Sequence, residues 1–342
     1  MSQRFISAST WLTAAFILVL ILNGCVAPAS PTPTRSLPSV TLTIFPTETP
    51  VPTLTATQLP ATVTPSIAAT PSEVSSVAME CPVGENVCII PGHFVFRRPL
   101  DPSANNAIDQ TYRYGTTQDD KREPHHGDDF PNKQGTPVLA AADGLIVVAG
   151  NDKLALYGWV TGFYGNLVVI EHHFPGFDDP IYTLYGHLYK IGVGMGQQVK
   201  KGDPIAEVGA TGIAIGSHLH FEVRIGENTY KSTRNPDLWL QSPAGTGTLA
   251  GRVLDGRGNP VKSTLTIQRM ANGVILSNPI YPLETYTRES LNSDDIFHET
   301  FAIGELPAGE YRLTLIYNGK VYEQRVNIEF DRLTLVTFQL ER

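Results

Sequence analysis

The sequence predicts an all-β protein, an antiparallel β-sheet domain with a groove followed by a small β-sandwich. Three observations carry that expectation. No stretch keeps the 3.6-residue apolar period of a helix for any convincing length. Short runs of alternating apolar and polar residues recur instead, separated by turn chemistry such as Asp143-Gly144 and Asp255-Gly256-Arg257-Gly258-Asn259-Pro260. Composition then shifts beyond Gln241, where residues 242–247 read as a short linker. At 342 residues the chain has room for more than one domain, and 42% hydrophobic residues suffice for packed cores. The formal net charge of −8 argues against nucleic acid as a partner.

Residues 1–25 read as an export signal. Arg4 sits in a short polar start, and residues 11–22 are almost wholly apolar yet too short for a comfortable bilayer span. Leu22-Asn23-Gly24-Cys25 closes the segment. This closing tetrapeptide resembles the lipobox of bacterial lipoproteins, which implies that Cys25 is lipidated and becomes the mature amino terminus. Asn23 departs from the small apolar residue usual at its position, so an uncleaved signal anchor stays open. Either way the bulk of the chain is expected outside the cytoplasm, on the outer face of a membrane and facing the wall. One acyl chain binds a membrane only marginally, so lasting attachment needs the several chains of a lipoprotein.

Residues 26–78 are dominated by Pro, Thr, Ser and Ala, with Arg35, Glu48 and Glu73 as their only charges. Such a segment cannot bury enough surface to offset its ordering entropy and is expected to be a disordered tether. In polyproline II geometry, at about 3.1 Å per residue, it would reach at most on the order of 150 Å.

The first folded domain is expected over residues 79–242. Cys81 and Cys88 bracket its start, and in an exported chain so close a pair is most simply a disulfide closing a small loop. Residues 138–149 read as two strands around an Asp143-Gly144 hairpin turn. Residues 166–172 read as a further strand, answered across a loop by residues 181–188. Residues 211–223, TGIAIGSHLHFEV, place His218 and His220 on one face of a strand, with Leu219, Phe221 and Val223 on the other.

Two imidazoles on one rigid face suit zinc, and further candidate groups surround them in the sequence. His125-His126-Gly127-Asp128-Asp129 offers an H-x-G-x-D arrangement, with Gly127 read as a bend between two ligands, and Tyr185-Gly186-His187-Leu188 adds another histidine. Hydrolytic zinc takes three ligands from His, Asp and Glu and keeps a fourth position for water. Alternation turns Asp128 away from the site and leaves His126 exposed. His172 and His173 read as a solvated strand end, Tyr112 and Tyr114 as core residues, and His93 has no visible partner.

H-x-G-x-D, then Y-x-H-L, then T-G-x-x-x-G-x-H-L-H-F-E resembles the lysostaphin/LytM family of zinc peptidases, over roughly residues 94–240. The resemblance implies that His125, Asp129 and His220 hold Zn²⁺ while His187 and His218 handle protons around a metal-activated water. Spacing alone does not say which histidine is ligand and which is base. It further implies a membrane-tethered endopeptidase cutting stem peptides or cross-bridges of peptidoglycan, with the peptide extended along the groove. The alternative is a non-hydrolytic activator of wall amidases, as in family members whose sites have lost ligands; here all five positions are filled. A third class is a wall-binding surface protein.

Residues 243–342 complete the prediction. Residues 248–254, 263–269, 311–317, 321–329 and 333–340 alternate in the strand manner. GRVLDGRGNPV and ELPAGEYRLTL resemble carboxypeptidase-regulatory-like, transthyretin-like β-sandwich modules, for which a stabilising or spacing role is expected.

Overall fold

A computed structural model describes residue 81, residues 84–287 and residues 291–341. Cys25, the signal and the Pro/Thr-rich segment lie outside the described residues. The described chain is built of strands and two short 3₁₀ turns, Tyr230–Ser232 and Pro236–Leu238. This is the expected all-β architecture.

The site-bearing sheet runs in the order Thr233–Arg234, His218–Ile225, Ile181–Gly186, Asn166–His172, Gly144–Asn151, Gln198–Val199. Asp128–Pro131 also joins it, sharing one edge of His218–Ile225 with Thr233–Arg234. His218–Ile225 is therefore paired on both sides, and Leu219, Phe221 and Val223 are fully buried beside Phe130 and Tyr185. With the backbone amides of that strand held by neighbours and its apolar face in the core, the opposite face has little freedom to move.

The expected hairpin at Asp143-Gly144 does not form. Pro137–Leu139 pairs with Pro204–Glu207, whereas Gly144–Asn151 pairs with Asn166–His172 and Gln198–Val199. Asp143 instead receives the Lys201 N–H at 2.7 Å and the Lys200 ammonium at 2.9 Å. Pairing with strands distant in the sequence overrides the local turn signal.

Two four-stranded sheets form a sandwich around a shared core that includes Leu249, Leu265, Ile267, Phe301, Leu313 and Phe338. Thr246–Leu254 runs parallel to Leu333–Gln339; the other pairings are antiparallel. Two strands here were not visible as alternating runs, Val274–Glu284 and Phe301–Pro307. Val274–Glu284 carries Pro279 and Pro282, which an edge strand tolerates because one row of its amides needs no partner. Strand pairing also crosses the boundary placed at residue 242. Val87–Ile90, next to the Cys81–Cys88 disulfide, adds to the sandwich through Leu333–Gln339.

Candidate metal centre

Strand register assembles the site. His220 stands opposite Asp129 on one neighbouring strand and opposite Gly186 on the other, and His187 follows directly after Gly186. His125 lies four residues before Asp129. His220 Nδ1 is 2.9 Å from Asp129 Oδ1 and 3.2 Å from His125 Nε2, and His125 Nε2 is 3.4 Å from Asp129 Oδ1. Donors about 2.0–2.1 Å from a tetrahedral zinc ion stand about 3.3 Å from one another, so the spacing and the N, N, O chemistry fit that ion. Among the described residues this is the one group of three His, Cys, Asp or Glu side chains close enough to share an ion.

The second nitrogen of each candidate ligand is committed elsewhere. His125 donates Nδ1–H to the Tyr112 carbonyl at 2.7 Å, with the two rings stacked 4.2 Å apart. His220 donates Nε2–H to Glu222 at 3.0 Å. These bonds orient the rings so that His125 Nε2 and His220 Nδ1 face Asp129.

Gly127 serves differently from the bend read in the sequence. A Cβ there would meet the His220 ring at 2.8 Å and the Phe221 carbonyl at 2.5 Å, so the glycine is required by close approach.

His187 and His218 flank the trio. His187 adopts φ 61°, the left-handed region that non-glycine residues enter at a cost, and donates Nδ1–H to the Thr211 carbonyl at 2.8 Å. His218 donates Nδ1–H to the Gly216 carbonyl at 3.2 Å, and its Nε2 lies 3.5 Å from Asp129 Oδ1. Each ring thus keeps Nε2 free. Burial, reinforced by His220 and His218, pushes His187 down to about 3. Burial likewise lowers His218, against the attraction of Asp129. Burial thus favours the neutral form of both imidazoles. Asp129 is held well below the usual carboxylate range, because His125 and His220 outweigh the opposing cost of burial. His220 is raised to about 9, since its bonds to Asp129 and Glu222 overcome the same opposing cost.

All five residues line a cavity of about 540 Å³ whose walls include Tyr112, Arg122, Trp159, Phe163, Ile213 and Ile215. Trp159 and Ile213 are more than half exposed, so the cavity is an open groove with an apolar flank. Tyr112 is therefore part of the groove wall, while Tyr114 is a core residue as expected.

The sequence reading missed Glu222. It is fully buried and accepts from His220 Nε2, from the Tyr164 hydroxyl, and from Arg224 Nε at 2.7 Å. Burial opposes ionisation, but Arg224, His220 and Tyr164 together outweigh it and hold Glu222 down at about 2. The signal was present: alternation puts residues 218, 220, 222 and 224 on one face, and four polar groups on a buried face must be partnered.

Three other readings change. His126 is not exposed but stacks on Tyr230 at 3.8 Å and bonds Thr233 Oγ1 at 2.9 Å. His172 is buried between the Asp143 carbonyl and Thr183 Oγ1. His93 stacks on Trp239 and bonds Asp294 at 2.9 Å. Asp128 turns away as expected and accepts the Tyr114 N–H at 3.1 Å.

Residues 123–232 match the family model described as Peptidase family M23. The peptidoglycan DD-endopeptidase ShyB of Vibrio cholerae is 43% identical over 103 residues, covering 30% of this chain and 21% of ShyB. The cell division protein DipM of Caulobacter vibrioides is 39% identical over 110 residues, covering 32% of this chain and 16% of DipM. The chain thus spans about a fifth of the length of these curated relatives. The solved catalytic domain of the antimicrobial peptidase lysostaphin from Staphylococcus simulans is 26% identical, covering 44% of this chain and 90% of that chain with a TM-score of 0.29.

Proposed function

We propose, on the premise that residues 123–232 are a Peptidase family M23 domain of the lysostaphin and LytM type, that this chain is a zinc endopeptidase acting on the peptide part of peptidoglycan. The observation that carries the proposal is the donor trio of His125, Asp129 and His220 at the floor of an open groove. The 43% identity to a peptidoglycan DD-endopeptidase supports the substrate class.

His125 Nε2, Asp129 Oδ1 and His220 Nδ1 would hold the ion. Zinc, when bound, supplies a water of lowered pKa and polarises the scissile carbonyl. His187 and His218, with Nδ1–H committed to backbone carbonyls, exchange protons only at Nε2. One accepts a proton from the attacking water and, charged in that moment, faces the oxygen that gains charge before returning the proton to the leaving amine, while the other accepts the water's remaining O–H at its Nε2. The left-handed backbone at His187 and its bond to Thr211 keep this nitrogen in place.

Purified full chain is expected to release peptide fragments from sacculi, to stop on chelation, and to resume on zinc addition. An effect that persists with chelator and needs an added amidase would replace this reading with that of an activator.

Membrane attachment is proposed from Cys25 and the signal-like residues before it, with residues 26–78 spanning the distance to the wall. Cys25→Ser is expected to move the protein from the membrane fraction to the soluble exported fraction. Unchanged fractionation would favour an uncleaved anchor.

A further inference from the structure

Between Leu100 and Asp128–Pro131 the chain runs without strand or helix, yet its last residues include His125. A span of that length with no structure of its own must be held by partners outside it. Residues 112–116 grip His125 on three sides. Tyr112 accepts its Nδ1–H and stacks on its ring, the Gly115 N–H donates to the His125 carbonyl at 2.9 Å, and the His125 N–H donates to the Thr116 carbonyl at 3.2 Å.

Two carboxylates from the C-terminal strands anchor the chain on either side of that grip. Glu305, in Phe301–Pro307, accepts from the Ile108 N–H at 3.1 Å, from Arg113 Nη2 at 3.0 Å and from Arg98 Nη1 at 2.6 Å. Arg113 is buried, and its other terminal nitrogen bonds Asp237 at 2.8 Å. Glu284, the last residue of Val274–Glu284, accepts from the Thr117 N–H at 3.0 Å, from Thr117 Oγ1 at 2.5 Å and from the Asp119 N–H at 3.0 Å. Between them, the Tyr286 ring occupies the space where a Cβ on Gly115 would lie.

We infer that the C-terminal sandwich is a positioning element for the metal centre, with Glu305 and Glu284 fixing residues 108–119 and through them the orientation of His125. Ionised acceptors taking several donors each make strong, directional anchors, and donors on a backbone otherwise free to wander give them leverage. The inference rests on the reading of His125 as a metal ligand. It gives the sandwich a part in the site beyond spacing, and the groove wall at Tyr112 shares the same support.

The test uses the full chain and four proteins: wild type, Glu284→Gln, Glu305→Gln, and Leu313→Ala as a control that opens the sandwich core. Zinc affinity is read by chelator competition, and hydrogen exchange of the Gly115 and His125 amides is read without metal. Both glutamine variants are expected to lose about tenfold in zinc affinity, the scale for a partner that orients a ligand. They are also expected to lose protection at those two amides. Leu313→Ala should unfold at lower temperature while staying within twofold of wild type in both readings. Glutamine variants indistinguishable from wild type, or a control that loses as much as they do, would overturn the inference. Should Glu305→Gln fail to fold, Glu284→Gln decides. A wild type that binds no zinc would defeat the proposed function, while amide exchange would still decide the positioning role.

Discussion

Asp129→Ala is expected to yield a folded chain that retains no zinc and releases no peptide from sacculi. The fold should survive because Asp129 is held in the sheet by its backbone: it stands opposite His220 in the ladder and its carbonyl accepts the Asp109 N–H at 2.9 Å. Its carboxylate, by contrast, supplies the only anionic donor of the trio and lies within 3.5 Å of His125, His218 and His220. Without it, two imidazole nitrogens remain, too few to hold zinc against a competing chelator. His218→Ala separates the roles. It should keep stoichiometric zinc and lose about 10²–10⁴-fold in turnover, the usual share of a positioned proton-transfer group. Elemental analysis with fragment release measures both, and a His218→Ala protein of undiminished rate would refute its assigned part.

Glu222→Ala carries the second large effect, on stability and on the metal together. Glu222 and Arg224 are both fully buried, and removing the carboxylate leaves the guanidinium, among the described residues, with Tyr157, Tyr164 and Asn228 as partners. Breaking a buried pair on one side costs about 3–5 kcal/mol. The same change frees His220 Nε2, so zinc affinity should fall about 10–100-fold. Glu222→Gln keeps the volume and one acceptor, and should recover part of the stability while zinc binding stays weakened. Thermal unfolding and chelator competition read the two effects separately. An Ala variant that melts with wild type would show that Arg224 finds other compensation.

Much of this protein was legible in its sequence because the informative patterns are local. His218-Leu219-His220-Phe221 shows a two-residue alternation that only a strand explains, and its apolar members are buried where the alternation puts them. Donor types suited to zinc were equally plain at His125, Asp129 and His220. Illegible features depend on distant pairing. Asp143-Gly144 has the chemistry of a hairpin, but Gly144–Asn151 finds its partners at Asn166–His172 and Gln198–Val199. His93 looked isolated because its partner, Asp294, is 201 residues away. The exposed, proline-bearing strand Val274–Glu284 lacks the alternation that burial on one face would impose.

By itself the sequence determined which residues carry donors suited to a metal and which faces their strands would bury, since residue chemistry and backbone period are properties of a few neighbours. Tertiary structure alone decided how those atoms are aimed. The orientation of the His220 ring is set by Glu222 on the same buried strand, and the pose of His125 by a loop tied to Glu284 and Glu305, the latter 197 residues from Ile108. A hydrogen bond exists only where folding brings donor and acceptor within reach, and no local pattern encodes that distance.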